Sequence, residues 1–108
     1  KILILGLSYK KNVDDMRESP TLKIIDLLFH NGAKIDYSDP YIKEFSYRDK
    51  VVYELKSINL DEKILKSFDA LVLVTDHDSF DYDLISKYSD LIIDTRGRFE
   101  RSEKIIRA

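Results

Sequence analysis

Ile2 to Leu5, Ala70 to Val74 and Leu91 to Ile93 are short apolar runs with no polar residue inside them. A strand with one wet face alternates apolar and polar side chains. A strand without that alternation must be covered on both faces, which is the habit of parallel sheets with helices above and below. A chain with several such runs, spaced by helical segments, has few architectures open to it.

The segments between the runs supply the helices. Ser19 can cap a helix whose first position suits Pro20. Leu22, Ile25, Leu28 and Phe29 then share one helical face, widened by Ile24 and Leu27. Asn31-Gly32 is a helix stop. Ala33 to Tyr37 reads as a second strand, broken by Asp39-Pro40. Tyr41 to Lys50 reads as loop, and Val51 to Tyr53 as a short edge strand. Asp61 to Phe68 and Asp81 to Tyr88 read as short helices, and the charged tail from Arg98 to Ala108 carries no assigned element. This alternation predicts a three-layer α/β/α domain, Rossmann-like and doubly wound. Its parallel sheet has about five strands in the order 3-2-1-4-5, with right-handed crossovers.

At 108 residues the chain is one domain. Lys1 leads straight into the first strand, so the domain is expected to be a fragment of a longer protein. The net charge of −2 gives no bulk reason to expect nucleic acid or an anionic membrane as partner. No apolar run approaches the ~18 residues of a membrane span. With no cysteine, disulfides, thiolate-held zinc and thiol nucleophiles are excluded, and a reducing, cytoplasmic setting is expected.

In an open α/β sheet, ligands bind beyond the carboxyl ends of the strands, where the strand order reverses. Here that point lies between the first strand and the strand Ala70 to Val74. Ser8, Tyr9, Lys10, Lys11, Asp14, Asp15 and Arg17 follow the first strand. Thr75-Asp76-His77-Asp78 and Asp94-Thr95-Arg96 follow two others. Lys10, Lys11, Arg17 and Arg96 therefore share one edge with the amino end of the helix starting at Pro20, a setting for a phosphate or diphosphate. The same residues also fit a solvated loop in which Asp14, Asp15 and Glu18 pair with their own Lys and Arg neighbours. Tyr9 is either a wall against a base or sugar, or an anchor packed on the core. His77 could act as a general acid or base, although a lone loop histidine is more often neither catalyst nor ligand. A dinucleotide fingerprint, Gly-x-Gly-x-x-Gly, is missing: Gly6 is followed by Leu7-Ser8-Tyr9.

The string Gly6-Leu7-Ser8-Tyr9-Lys10-Lys11-Asn12-Val13-Asp14-Asp15-Met16-Arg17-Glu18-Ser19-Pro20 resembles the opening of the C-terminal domain of the UDP-glucose/GDP-mannose dehydrogenase family. Asp39-Pro40-Tyr41, Thr75-Asp76-His77 with Phe80-Asp81, and Asp94-Thr95-Arg96 fit in the same order. The resemblance implies that residues 1–108 are the nucleotide-sugar-binding domain of a larger enzyme. In that enzyme an N-terminal domain carries NAD, and a central helix links and dimerises the chains. It oxidises the sugar's C6 hydroxyl to a carboxylate, for bacterial surface polysaccharide synthesis. The family's covalent step uses a cysteine, absent here, so the piece alone is expected to be inactive, with no catalytic residue of its own. By motif, Tyr9, Lys10 and Arg96 are implied to contact the UDP-sugar, and Arg17 to reach toward the NAD diphosphate. The wording looks most like bacterial enzymes acting on UDP-N-acetylhexosamines, with UDP-glucose also open. Two other classes fit the same sheet: a receiver-like signalling domain and a non-catalytic Rossmann-like interaction module.

Overall fold

A computed structural model describes residues 1–8, 10–13, 20–48 and 52–108. Its centre is a five-stranded, all-parallel sheet. The strands are β1 (Ile2–Leu5), β2 (Ile35–Ser38), β5 (Ala70–Leu73), β6 (Ile92–Asp94) and β7 (Ile105–Arg107), in the spatial order β2-β1-β5-β6-β7. Between β2 and β5 the chain makes a separate antiparallel pair, β3 (Glu44–Arg48) with β4 (Val52–Lys56). Three helices lie among the described residues: α1 (Thr21–His30), α2 (Glu62–Lys66) and α3 (Tyr82–Tyr88).

Alternation of side chains along each strand divides the core into two layers. Leu3, Leu5, Leu71, Leu73 and Ile92 pack with Leu65 of α2 and Ile85 of α3. Ile4, Val72, Ile35 and Tyr37 face the other way and pack with Ile25 of α1. The apolar runs are thus buried on both faces, which is the physical content of their lack of alternation. Each fully buried Leu or Ile contributes roughly 1.5–3 kcal/mol, so this double layer is the main cohesive element of the domain.

Local signals mark the helix ends as expected. Asp61 and Asp81 cap α2 and α3, accepting from the backbone N–H of Ile64 at 2.8 Å and of Leu84 at 3.1 Å. Helix α1 ends on Asn31, with Gly32 at φ 84°. The Gly32 and Ala33 N–H groups return to the carbonyls of Phe29 and Leu28, both at 3.0 Å, the paired bonds of a Schellman stop. Leu27 departs from expectation: it is 64% exposed and points away from the apolar face of α1.

The α/β/α layering and the neighbours 2-1-4-5 of the expected order hold, but the outermost strand does not. Val51 to Tyr53 was expected at the edge beside the second strand. Instead Val52–Lys56 pairs with Glu44–Arg48, within the segment expected to be loop. Among the described residues its link to the β2 ladder is an isolated parallel bridge just past its end, Tyr37 to Ser57. A parallel neighbour needs a crossover of a dozen or more residues, usually a helix. Among the described residues no helix lies between β2 and β4, and β4 takes the local antiparallel partner. The fifth sheet position falls on the opposite edge, to β7 in the charged tail. As an edge strand β7 carries a mixed pattern, with Ile105 against the core and Ile106 50% exposed.

One glycine is required by close approach. Gly6 has φ 86°, and a Cβ there would sit 2.5 Å from both the Cβ and the carbonyl oxygen of Thr75. This contact packs the chain leaving β1 directly against the chain leaving β5. Gly6→Ala is expected to destabilise the chain by about 3 kcal/mol or more, combining left-handed strain with a clash against backbone. Urea unfolding with a midpoint equal to that of the parent chain would contradict this.

Candidate functional site

All five strands of the sheet are parallel, so their carboxyl ends form one edge, and the loops leaving it meet there. Asp39 leaves β2, Leu7 to Asn12 leaves β1, Thr75 to Asp78 leaves β5, and Thr95 to Phe99 leaves β6. The β1 and β6 loops flank the β5 end, two strand spacings apart, or roughly 10 Å.

The first three of these loops are joined by a buried polar network. Asp39 and His77 are fully buried at the side chain, with Nε2 of His77 2.9 Å from Oδ2 of Asp39. The same carboxylate oxygen accepts the Leu7 N–H at 2.8 Å, and Oδ1 accepts the Tyr41 N–H at 2.8 Å. The Asn12 N–H donates to Nδ1 of His77 at 2.7 Å. Nδ1 therefore offers a lone pair, and the ring hydrogen sits on Nε2 and points at Asp39. Burial pushes the Asp39 carboxyl up. The hydrogen bonds from His77, Leu7 and Tyr41 outweigh burial and hold it below the ordinary aspartate value.

Ser8 adjoins this pair, its Oγ 3.3 Å from Nε2. Ser8, His77 and Asp39 are thus neighbours, a grouping that sequence spacing does not reveal. They are not arranged to activate a nucleophile. That chemistry needs the carboxylate on one ring nitrogen and the serine on the other. Here both crowd Nε2, Nδ1 is occupied by an amide, and the Ser8 hydroxyl donates to the Lys10 carbonyl at 2.8 Å. The general acid or base role considered for His77 finds no opening to solvent, since the residue is 0% exposed.

The β6 loop is built on a second buried carboxylate. Asp94 accepts the N–H groups of Arg96 at 2.9 Å, Gly97 at 2.8 Å and Phe99 at 2.9 Å. Burial raises its pKa, and these amides more than offset it, leaving the group below the ordinary value. Arg98 reaches Asp78 at 3.1 Å and Asp76 at 3.4 Å, and lies 4.4 Å from the Tyr82 ring centroid. Lys11 stands 3.6 Å from Asp78, and the Asn12 and Asp78 residues exchange two hydrogen bonds at 2.8 and 2.9 Å.

This leaves a particular charge balance. Asp39 and Asp94 are spent on backbone amides, and Asp76 and Asp78 are paired with Arg98 and Lys11. Among the described residues, the exposed Lys10 has no carboxylate partner. Arg96, also exposed, is tied only by Nε to the Val74 carbonyl at 2.8 Å, which leaves its remaining N–H groups outward. Lys10 and Arg96 thus stand on the same edge, as expected. Tyr9 and Arg17, the other predicted contacts, lie outside the described residues, as do Asp14, Asp15, Glu18 and the Ser19 cap.

A hollow of about 660 Å³ lies to one side of these two cations. It lies between Asp39-Pro40, Lys56 to Leu60 and Ser79 to Asp81, and neither Lys10 nor Arg96 lines it. Two cations with no carboxylate partner among the described residues specify an anionic ligand, and a hollow of mixed lining does not. No described helix is long and apolar enough to cross a membrane.

A doubly wound sheet with uncompensated cations at its switch point is the architecture of a nucleotide-binding α/β domain. The chain belongs to the UDP-glucose/GDP-mannose dehydrogenase family, UDP binding domain, whose sequence profile matches residues 3–101. It is 39% identical over 80 residues to the UDP-N-acetyl-D-mannosamine dehydrogenase of Methanococcus aeolicus, covering 74% of this chain and 16% of that protein. It is 31% identical over 108 residues to the UDP-glucose 6-dehydrogenase of Rhizobium meliloti, covering 95% of this chain and 24% of that one. The fold superimposes on the UDP-D-ManNAc dehydrogenase of Pyrococcus horikoshii with a TM-score of 0.70 at 27% identity, covering 98% of this chain and 24% of that structure. The chain therefore spans about a quarter or less of the relatives it matches. Membership of this family removes the receiver-like alternative.

The buried carboxylate at the β2 end generates a stability prediction. Its folded pKa is depressed, so its contribution is present above the unfolded pKa and is lost as pH falls through the folded value, below about pH 4. Asp39→Asn replaces one acceptor oxygen with an NH2 group facing a buried N–H, and is expected to cost about 3 kcal/mol at neutral pH. The variant should also lose part of the acid dependence. Thermal midpoints measured from pH 7 down to pH 3 check both; a parallel pair of curves with no offset would contradict the assignment.

Proposed function

We propose that residues 1–108 are the nucleotide-sugar-binding, C-terminal domain of an NAD-dependent nucleotide-sugar 6-dehydrogenase, in which Lys10 and Arg96 grip the diphosphate. The observation that carries this is the charge balance of the strand-end edge, where every described carboxylate is spent and these two cations are not. A diphosphate concentrates negative charge over a few ångströms, and charge-assisted contacts to it are the strong ones. The α1 amino end, following β1 in a βα unit, adds its dipole on the same edge. Tyr9 then stands beside the sugar nucleotide, and Arg17 extends toward the NAD diphosphate. The substrate is a UDP-N-acetylhexosamine, a choice supported by the family wording of the β1 loop and by the similarity to the Methanococcus enzyme.

The β1 turn does not fit NAD itself. A dinucleotide diphosphate lies against bare glycine backbone, but here Gly6 is closed off by Thr75, and Leu7 and Ser8 are buried. In this proposal NAD is held by the N-terminal domain of the whole enzyme, which works as a homodimer through its central helix. This chain contributes binding and orientation of the substrate.

Titration of the chain with UDP, followed by backbone amide shifts, tests the reading. Shifts are expected at Lys10 to Asn12 and at Thr95 to Gly97. Lys10→Ala and Arg96→Ala should each weaken binding about tenfold or more, the loss of a charge-assisted contact worth roughly 1.5–3 kcal/mol. The thermal midpoint of Lys10→Ala should stay with the parent chain, and that of Arg96→Ala should fall only by the loss of the hydrogen bond to Val74. Absence of shifts at millimolar UDP, or shifts confined to the hollow beside Lys56, would refute the reading.

A further inference from the structure

We propose that His77 is a positioning residue for nucleotide-sugar binding: through Nδ1 it holds the Asn12 amide and so fixes the turn that presents Lys10. The proposal rests on Lys10 being a diphosphate contact, as argued above.

Lys10 is exposed and its side chain has four rotatable bonds, so its usefulness depends on how firmly its backbone is held. The turn is tied on both sides of it. Before Lys10, the buried Ser8 hydroxyl donates to the Lys10 carbonyl at 2.8 Å. After it, the Asn12 N–H donates to His77 Nδ1 at 2.7 Å, and Asn12 itself sits at φ 62°, a left-handed conformation that needs support. Both ties converge on the imidazole, because Nε2 lies 3.3 Å from Ser8 Oγ. The ring can accept from Asn12 only if its hydrogen is on Nε2, and Asp39 at 2.9 Å keeps it there. Being 0% exposed, His77 does not touch the ligand. Its effect on binding runs through the turn.

An imidazole supplies an acceptor and a donor on opposite sides of one ring, and the two amide side chains each reproduce one half. His77→Asn places its carbonyl oxygen where Nδ1 lay and keeps the Asn12 tie. His77→Gln places its NH2 where Nε2 lay and keeps the Asp39 tie. Both lose the ring packing against Tyr41 at 4.8 Å and Phe80 at 5.6 Å, so both lose stability. Affinity separates them.

The experiment is UDP titration of the parent chain and both variants, with thermal midpoints and the exchange rate of the Asn12 amide measured alongside. His77→Gln is expected to bind UDP about tenfold more weakly and to lose Asn12 protection, while His77→Asn stays within about threefold of the parent, the difference being one hydrogen bond and the order it imposes. Equal losses in the two variants, or affinities that simply follow the thermal midpoints, overturn the proposal. If the His77 variants do not fold, Ser8→Ala decides. It removes the tie to the Lys10 carbonyl and leaves the imidazole in place; a severalfold weaker affinity supports the proposal and an unchanged one overturns it. A parent chain that binds no UDP refutes the role of Lys10 and this proposal with it. A failure of His77 alone leaves parent binding intact, so the two failures are told apart.

Discussion

A carboxylate taken out of water has to be met by donors, and at the end of β2 that requirement organises three of the strand-end loops. Asp39 draws in the Leu7 amide from the β1 loop, the Tyr41 amide from its own loop and the His77 ring from the β5 loop. Each donor removed would leave a buried charge short of a partner, which is more costly than never having made the bond. The consequence is rigidity where an α/β sheet would otherwise have three independent loops. Asp94 applies the same device to the β6 loop, gathering three backbone amides around one side chain.

This use of acids explains the electrostatics of a chain whose net charge is slightly negative. Among its described residues the strand-end edge is rich in aspartate, yet these carboxylates are all engaged. Two of its carboxylates are buried under amides, and two more are matched by Arg98 and Lys11. Lys10 and Arg96 remain as outward cations held on stiff backbone. Cations presented in this way suit an anionic ligand.

Legibility in the sequence followed the range of the interactions involved. The apolar runs, the short helices beginning near Asp61 and Asp81, and the Asn31-Gly32 stop depend on residues within a turn or a strand of each other. They stood where the pattern placed them. The β3-β4 pair was missed because Glu44-Phe45-Ser46-Tyr47-Arg48 is polar on average, although its alternation is a strand signal. The β7 strand was missed because an edge strand with one wet side needs little apolar length.

By itself the sequence determined the layering: unbroken apolar strands can only lie between two helical layers, and the strand-helix alternation puts their loops on one edge. It also carried Lys10 and Arg96 to that edge, since each lies in a loop that follows a strand of the parallel sheet. Tertiary structure alone decided which neighbours those loops have. Asp39 meets His77 across 38 positions and Asn12 meets His77 across 65, and no local pattern encodes such a meeting. Pairings at that distance exist only once β1 has been inserted between β2 and β5, since sheet order, and not residue spacing, sets which strand ends are adjacent.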